Sequence, residues 1–62
     1  MPKNRSLVGL SEAVNYLNTS ERHIRTLVHR RAIPYYKLGG LLRFDLAELD
    51  DMLDQNRVEV AS

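Results

Sequence analysis

Pro34 constrains this chain more firmly than any other residue. Its ring removes a backbone donor and disfavours helical geometry in the residue before it, so a helix arriving from the N-terminal side stops by Ile33. Beyond it the sequence runs Tyr35-Tyr36-Lys37-Leu38, then Gly39-Gly40, then Leu41-Leu42-Arg43-Phe44. Two strand-like runs around a Gly-Gly pair predict a β-hairpin, because glycine accepts positive φ at both turn positions without strain. The chain therefore divides into a front, a hairpin and whatever follows Phe44.

The front carries two helical patterns. Leu10, Ala13, Val14 and Leu17 recur at i, i+3, i+4 and i+7, the stripe of a short amphipathic helix with Ser11 as its N-cap. Asn18 tolerates the left-handed conformation that ends a helix. Thr19 or Ser20 can cap a second helix, in which Ile24, Leu27 and Val28 face inward. Two short helices joined by a three- or four-residue turn make a helix-turn-helix. After the hairpin, Asp45 and Glu48 stand at capping-box spacing, and Leu46, Leu49, Met52 and Leu53 form the inner stripe of a third helix. The expected fold is mainly α with a small β-hairpin, a winged helix-turn-helix. Residues 1–9 lack any period and read as a flexible N-terminal arm, 10–54 as the domain, and 55–62 as a C-terminal tail in which Val58 and Val60 alternate.

Sixty-two residues suit one small domain, near the lower limit at which burial offsets lost chain entropy. With three Tyr, one Phe and no Trp, its core must be mainly aliphatic. The absence of cysteine excludes disulfides, thiolate metal sites and cysteine nucleophiles. No apolar run approaches the roughly 20 residues that span a bilayer, and the first residues lack the apolar segment of a secretory signal. A soluble, cytoplasmic protein is expected, with no membrane partner.

Charge is sharply segregated. Between Ser20 and Phe44 stand Arg22, Arg25, Arg30, Arg31, Lys37 and Arg43 against the single acid Glu21. Elsewhere Lys3, Arg5 and Arg57 face Glu12, Asp45, Glu48, Asp50, Asp51, Asp54 and Glu59, so a formal net charge of +1 conceals a strong dipole. Cations gathered on one segment are the sequence footprint of a surface for polyanions.

On the second helix, Arg22, Thr26 and His29 lie opposite the apolar side, with His23, Arg25 and Arg30 flanking them. Such a face suits the major groove of B-DNA, which admits one α-helix. Residues near the N-terminus of a reading helix reach deepest, so Arg22, His23, Arg25 and Thr26 are the candidates for base edges. Arg30, Arg31 and His29 are placed on phosphates. In the hairpin, Lys37 and Arg43 flank Gly39 and Gly40, which allow close approach of the backbone to a duplex. Lys3 and Arg5 are further candidates for phosphate.

Plainer readings compete with several of these. A basic helix is often only a solvated face, but here helix, turn, helix, wing and acidic helix follow one another in order. Glu21 either holds a base or orients Arg25 four residues on, and the plainer reading of an acid in the first turn is that it serves the helix dipole. Arg43 either ties the wing to the helices or meets DNA. Tyr35 and Tyr36 should point to opposite sides of their strand, one into the core and one outward. Tyr16 lies off its helix's stripe and can cover the joint with a neighbouring helix. His23 and His29 do not share a face and lack a nearby carboxylate, so no metal or other cofactor is expected. The Ser and His residues show no nucleophile-and-base spacing, and a domain this small offers no enclosed pocket, which argues against an enzyme and against a small-molecule substrate.

Taken in order, Leu10-Ser11-Glu12-Ala13-Val14-Asn15-Tyr16-Leu17, Thr19-Ser20-Glu21-Arg22-His23-Ile24-Arg25, Ala32-Ile33-Pro34-Tyr35-Tyr36-Lys37-Leu38-Gly39-Gly40, Leu42-Arg43-Phe44 and the closing Leu46 to Leu53 segment resemble the excisionase-type winged helix-turn-helix domain, which is related to the DNA-binding part of MerR-type regulators. The resemblance covers about residues 7 to 55. It implies that the helix from Ser20, with Ser20 and Glu21 at its start, enters the major groove, and that the hairpin from Lys37 through Leu41 to Arg43 contacts backbone or minor groove. Many members carry a basic residue where this chain has Leu41, and often Gly where it has Asn18.

Small members of that family are phage or plasmid excisionases, which bind tandem sites near an attachment site, bend DNA and help an integrase excise. The resemblance thus implies double-stranded DNA, integrase and further copies of the chain as partners, in a bacterial, phage or mobile-element setting. The acidic third helix and the tail are then the surface for a neighbouring copy. Two other roles compete: a short transcriptional regulator, or the DNA-binding domain of a larger protein, and a module whose basic face binds an acidic protein.

Overall fold

Phe44, Ile24 and Leu49, each from a different element, are the largest side chains wholly removed from solvent. They set the architecture. The computed structural model describes residues 5–60 and contains, in chain order, β1 (Leu7–Val8), α1 (Leu10–Leu17), α2 (Glu21–His29), β2 (Tyr36–Leu38), β3 (Leu41–Asp45) and α3 (Leu46–Gln55). Ala13 and Ile33 complete the buried centre, and Val8, Leu10, Val14, Leu17, Leu27, Val28, Tyr35, Leu42, Leu46 and Met52 pack around it. Burying a side chain such as Phe44 or Leu49 contributes about 1.5–3 kcal/mol. The arrangement is the expected winged helix-turn-helix, with three helices and a small antiparallel wing.

Each helix begins on an identifiable cap. Ser20 Oγ accepts from His23 N at 3.1 Å, as expected for one of the two candidate caps of α2. Asp45 Oδ1 accepts from Ala47 N at 2.9 Å and starts α3. Helix α1 differs from expectation: its N-cap is Gly9, Ser11 lies inside the first turn, and Glu12 Oε1 accepts from Gly9 N at 3.2 Å. A carboxylate three residues on reaches the free amide that a serine would have left to solvent. Glu48, at the matching position of α3, makes no such return contact; its Oε1 is buried and lacks a hydrogen-bond partner among the described residues.

Both helices of the helix-turn-helix end on left-handed residues that are not glycine. Asn18 takes φ 52° and ψ 54°, with Thr19 N donating to Val14 O at 3.0 Å and Asn18 N to Asn15 O at 3.2 Å. Arg31 repeats the motif with φ 56°, Ala32 N donating to Leu27 O at 2.8 Å and Arg31 N to Val28 O at 3.0 Å. These paired bonds satisfy carbonyls that a helix end leaves open, but an L side chain in this conformation is strained. Arg31→Gly is therefore expected to stabilise the domain by about 0.5–1 kcal/mol, net of glycine's extra chain entropy. Thermal denaturation should show a melting temperature higher by about 2–8 °C.

The sheet contains one strand more than the hairpin. Leu7 pairs with Asp45 and Val8 with Phe44, giving the antiparallel order β1-β3-β2. The N-terminal arm expected over residues 1–9 is thus part of the fold from Leu7 onward, because β3 presents a free edge that Leu7–Val8 fills. Ser6 adds to this by accepting from Leu46 N at 3.1 Å. Lys3 and the rest of residues 1–4 lie outside the described residues. In the hairpin, Leu38 faces Leu41 across the two-residue turn, and among the glycines only Gly39, at φ 62°, is left-handed. One glycine rather than two is conformationally required, the pattern of a turn with glycine at its first central position. At the other end, Asn56 caps α3, its side chain donating to Met52 O at 2.8 Å, and Val58 and Val60 stand open to solvent with no strand partner among the described residues.

Candidate nucleic-acid interface

With Ile24 buried on its inner side, α2 must turn the opposite stripe outward. Glu21, Arg22, Arg25, Thr26, His29 and Arg30 line one open groove along that side. A second groove, lined by Leu10, Arg25, Gly40, Leu41, Leu42 and Arg43, runs between α2 and the wing. Arg25 belongs to both, so helix and hairpin present one continuous surface. This brings together most of the residues that the sequence nominates, and adds Leu10 and Leu42 as apolar lining. Leu10 carried no distinguishing signal, since its spacing also fits the core stripe.

Local contacts set the posture of the helix. Glu21 Oε1 accepts from Arg25 Nε at 3.0 Å in an exposed i,i+4 pair. An exposed pair of this kind adds little stability, about 0.3–0.5 kcal/mol, but it restrains Arg25 along the helix. Thr26 Oγ1 donates to the Arg22 carbonyl at 3.0 Å, which leaves its methyl group and its acceptor positions to the groove. Arg22, His29 and Arg30 are exposed.

On the wing, Lys37 stands opposite Leu42 in the strand register and is exposed, so the pleat carries it on the same side as Leu42. Arg43 does something different. Its Nη1 donates to the Leu42 carbonyl at 2.7 Å, and the same atom lies 3.7 Å from where a Cβ on Gly9 would sit. The guanidinium thus lies near the start of α1 and also edges the groove.

Three basic residues depart from expectation. His23 is turned away from the basic stripe and lines a recess with Leu17, Asn18, Thr19, Leu27, Met52 and Leu53. It is not placed to read bases with Arg22. Arg31, beyond the end of α2, lies with Pro34, Glu48, Asp51 and Gln55 on the side of the acidic helix. It is not grouped with Arg30 for phosphate contact. Arg5 stacks over the Tyr36 ring, 5.1 Å from its centroid, and so is engaged by the sheet.

The tyrosines tie the acidic side together. Tyr16 OH donates to Asp50 Oδ1, joining α1 to α3, which is the cover for a helix joint that its position suggests. The hydrogen bond to Asp50 is the main cause holding the Tyr16 phenol above its ordinary pKa, with desolvation and the charge of Asp50 adding to it. Tyr35 packs on the core, whereas Tyr36, expected outside if Tyr35 is inside, is itself half-buried between Arg5 and Glu48. The neighbouring Glu48 carboxylate is the main cause raising the Tyr36 pKa, desolvation adds to it and Arg5 opposes it.

A family model described as a helix-turn-helix domain matches residues 7–57. The chain belongs to the helix-turn-helix domain family. No curated protein and no solved structure matches it. In this helix-turn-helix domain, α1, the Asn18–Ser20 turn and α2 are the defining motif, and α2 occupies the place of the helix that such motifs lay in the major groove. The family supports binding of double-stranded DNA and includes excisionase-like DNA-binding domains. Among the described residues no helix is long and apolar enough to cross a membrane.

Proposed function

We propose that this helix-turn-helix domain acts as an excisionase-type architectural protein, which binds tandem DNA sites near an attachment site, bends the duplex and promotes excision by an integrase. The observation that carries this reading is the two-sided charge of so small a body. Arg22, Arg25, Arg30 and the wing form one face, while Asp50, Asp51 and Asp54 are exposed on α3, outside both grooves of that face. A copy bound to one site therefore offers its neighbour a surface of opposite sign, and opposite charges steer and register such contacts. Arg22 and Arg25 read base edges, Thr26 offers a methyl to thymine, and Arg30, Lys37 and Arg43 meet phosphates.

Gel-shift and footprinting with repeated sites test this directly. Occupancy should be cooperative, the duplex should bend, and added protein should raise integrase-dependent excision in a reconstituted reaction. One isolated, uncooperative footprint on straight DNA, without effect on excision, would refute the architectural role and leave a promoter-binding regulator. Arg22, Arg25, Arg30 and Arg43, which line the two grooves, together with exposed Lys37 on the wing further predict a log affinity that falls against log salt with a slope of about −4 to −5, measured by fluorescence anisotropy.

A further inference from the structure

We propose that Leu38 and Leu41 form an apolar wedge at the tip of the wing, which enters the minor groove and opens a base step, so that the wing sets the bend. This rests on the DNA-binding reading of the same face. The two leucines are cross-strand partners directly beside the turn, and they are 55% and 56% exposed. A single exposed leucine is ordinary, but two side by side at a hairpin tip, with no packing partner in the domain's core cluster, make a compact apolar point.

Its location gives it an occupant. Gly40 and Leu41 line the groove that contains Arg25, so the tip continues the face of the recognition helix. Lys37 directly precedes Leu38 and Arg43 stands two residues beyond Leu41, so a cation on each strand lies behind the leucines and can meet the phosphates beside a narrow groove. When α2 lies in the major groove, a wing beside it meets the adjacent minor groove, where apolar side chains unstack base steps and kink DNA by about 20–90°.

Gly40 supplies an independent pointer. Its φ is not positive, and a Cβ there would have nothing within 4 Å, so the fold itself makes no demand for glycine. A tip without a side chain at that position is slim enough to follow the leucines between two sugar-phosphate walls.

The test uses the full chain and the tightest duplex that it selects from a random pool. Bending is read by energy transfer between end-labelled strands, and unstacking by 2-aminopurine placed at successive steps beside the α2 footprint. Wild-type protein should bend the duplex and brighten 2-aminopurine at one step. Leu38→Ser with Leu41→Ser should lose at least half of the bend and the brightening, with affinity reduced less than about tenfold because the phosphate contacts remain. Leu38→Met with Leu41→Met should restore both, and circular dichroism should show all three proteins folded alike. A duplex that is bound tightly but left straight, or bent equally by the serine variant, would overturn the wedge and leave DNA binding intact. If no duplex is selected at low salt, the DNA-binding reading fails first and the wedge with it.

Discussion

Replacing Arg22 and Arg25 with alanine is expected to abolish specific DNA binding while leaving the fold intact. Each arginine that grips a base edge should account for about 1–3 kcal/mol of discrimination, so the double variant should lose most of the margin between specific and nonspecific sites. Both side chains are exposed and neither joins the core, so the melting temperature should change little. The Arg25 change also frees Glu21, whose carboxylate would then face phosphate without a neutralising partner. Anisotropy titration at fixed salt measures the loss. His23→Ala and Arg31→Ala are the matched controls. His23 lines the recess beside Leu53, and Arg31 lies beside Asp51, so either change should leave affinity within a few-fold of the wild type. If Arg31→Ala were as damaging as Arg25→Ala, the boundary drawn around this face would be wrong.

Phe44→Ala is expected to destabilise the protein more than any other single truncation, bringing it close to unfolding at room temperature. Phe44 is wholly buried, pairs with Val8 across the sheet and lies at the centre of a cluster with Ile24 and Leu49. Truncating a buried phenylalanine costs about 3–5 kcal/mol through lost transfer energy and the cavity left behind. A domain of this size has a total stability on the order of 3–9 kcal/mol, so the loss removes from about a third of it to all of it. Leu42→Ala, at a half-buried position on the same strand, should cost less and leave a folded domain. Urea denaturation followed by circular dichroism separates the two. A folded Phe44→Ala protein with an unchanged midpoint would mean that the core is centred elsewhere.

The elements that sequence revealed are those with a period or a punctuation mark. Leu10 to Leu17 and Ile24 to Val28 repeat every three or four residues, Pro34 forbids continuation, and Gly39-Gly40 announces a turn. Strand β1 was hidden because Leu7–Val8 is too short to show alternation; only the open edge of β3 gives it a role. The cap of α1 lies two residues before the serine expected there: serine outranks glycine as an N-cap, but this helix starts with Glu12 accepting from the Gly9 amide and no hydroxyl cap. Within the site, the stripe Arg22, Arg25, Thr26, His29 and Arg30 follows helical spacing and was legible. His23 departs from the base-reading role expected of it, although Leu27, four residues on and facing inward, carried the signal for its place. Arg31 was not, because helical spacing cannot be carried past the left-handed residue at which the helix stops.

One junction governs how this molecule handles force. Asp45 both ends β3 and caps α3, so no linker separates the hairpin from the acidic helix. The two form a single lever. A torque applied to the tip of the wing would be delivered to α3 with no linker to absorb it, so a duplex held there would set the heading of the acidic helix.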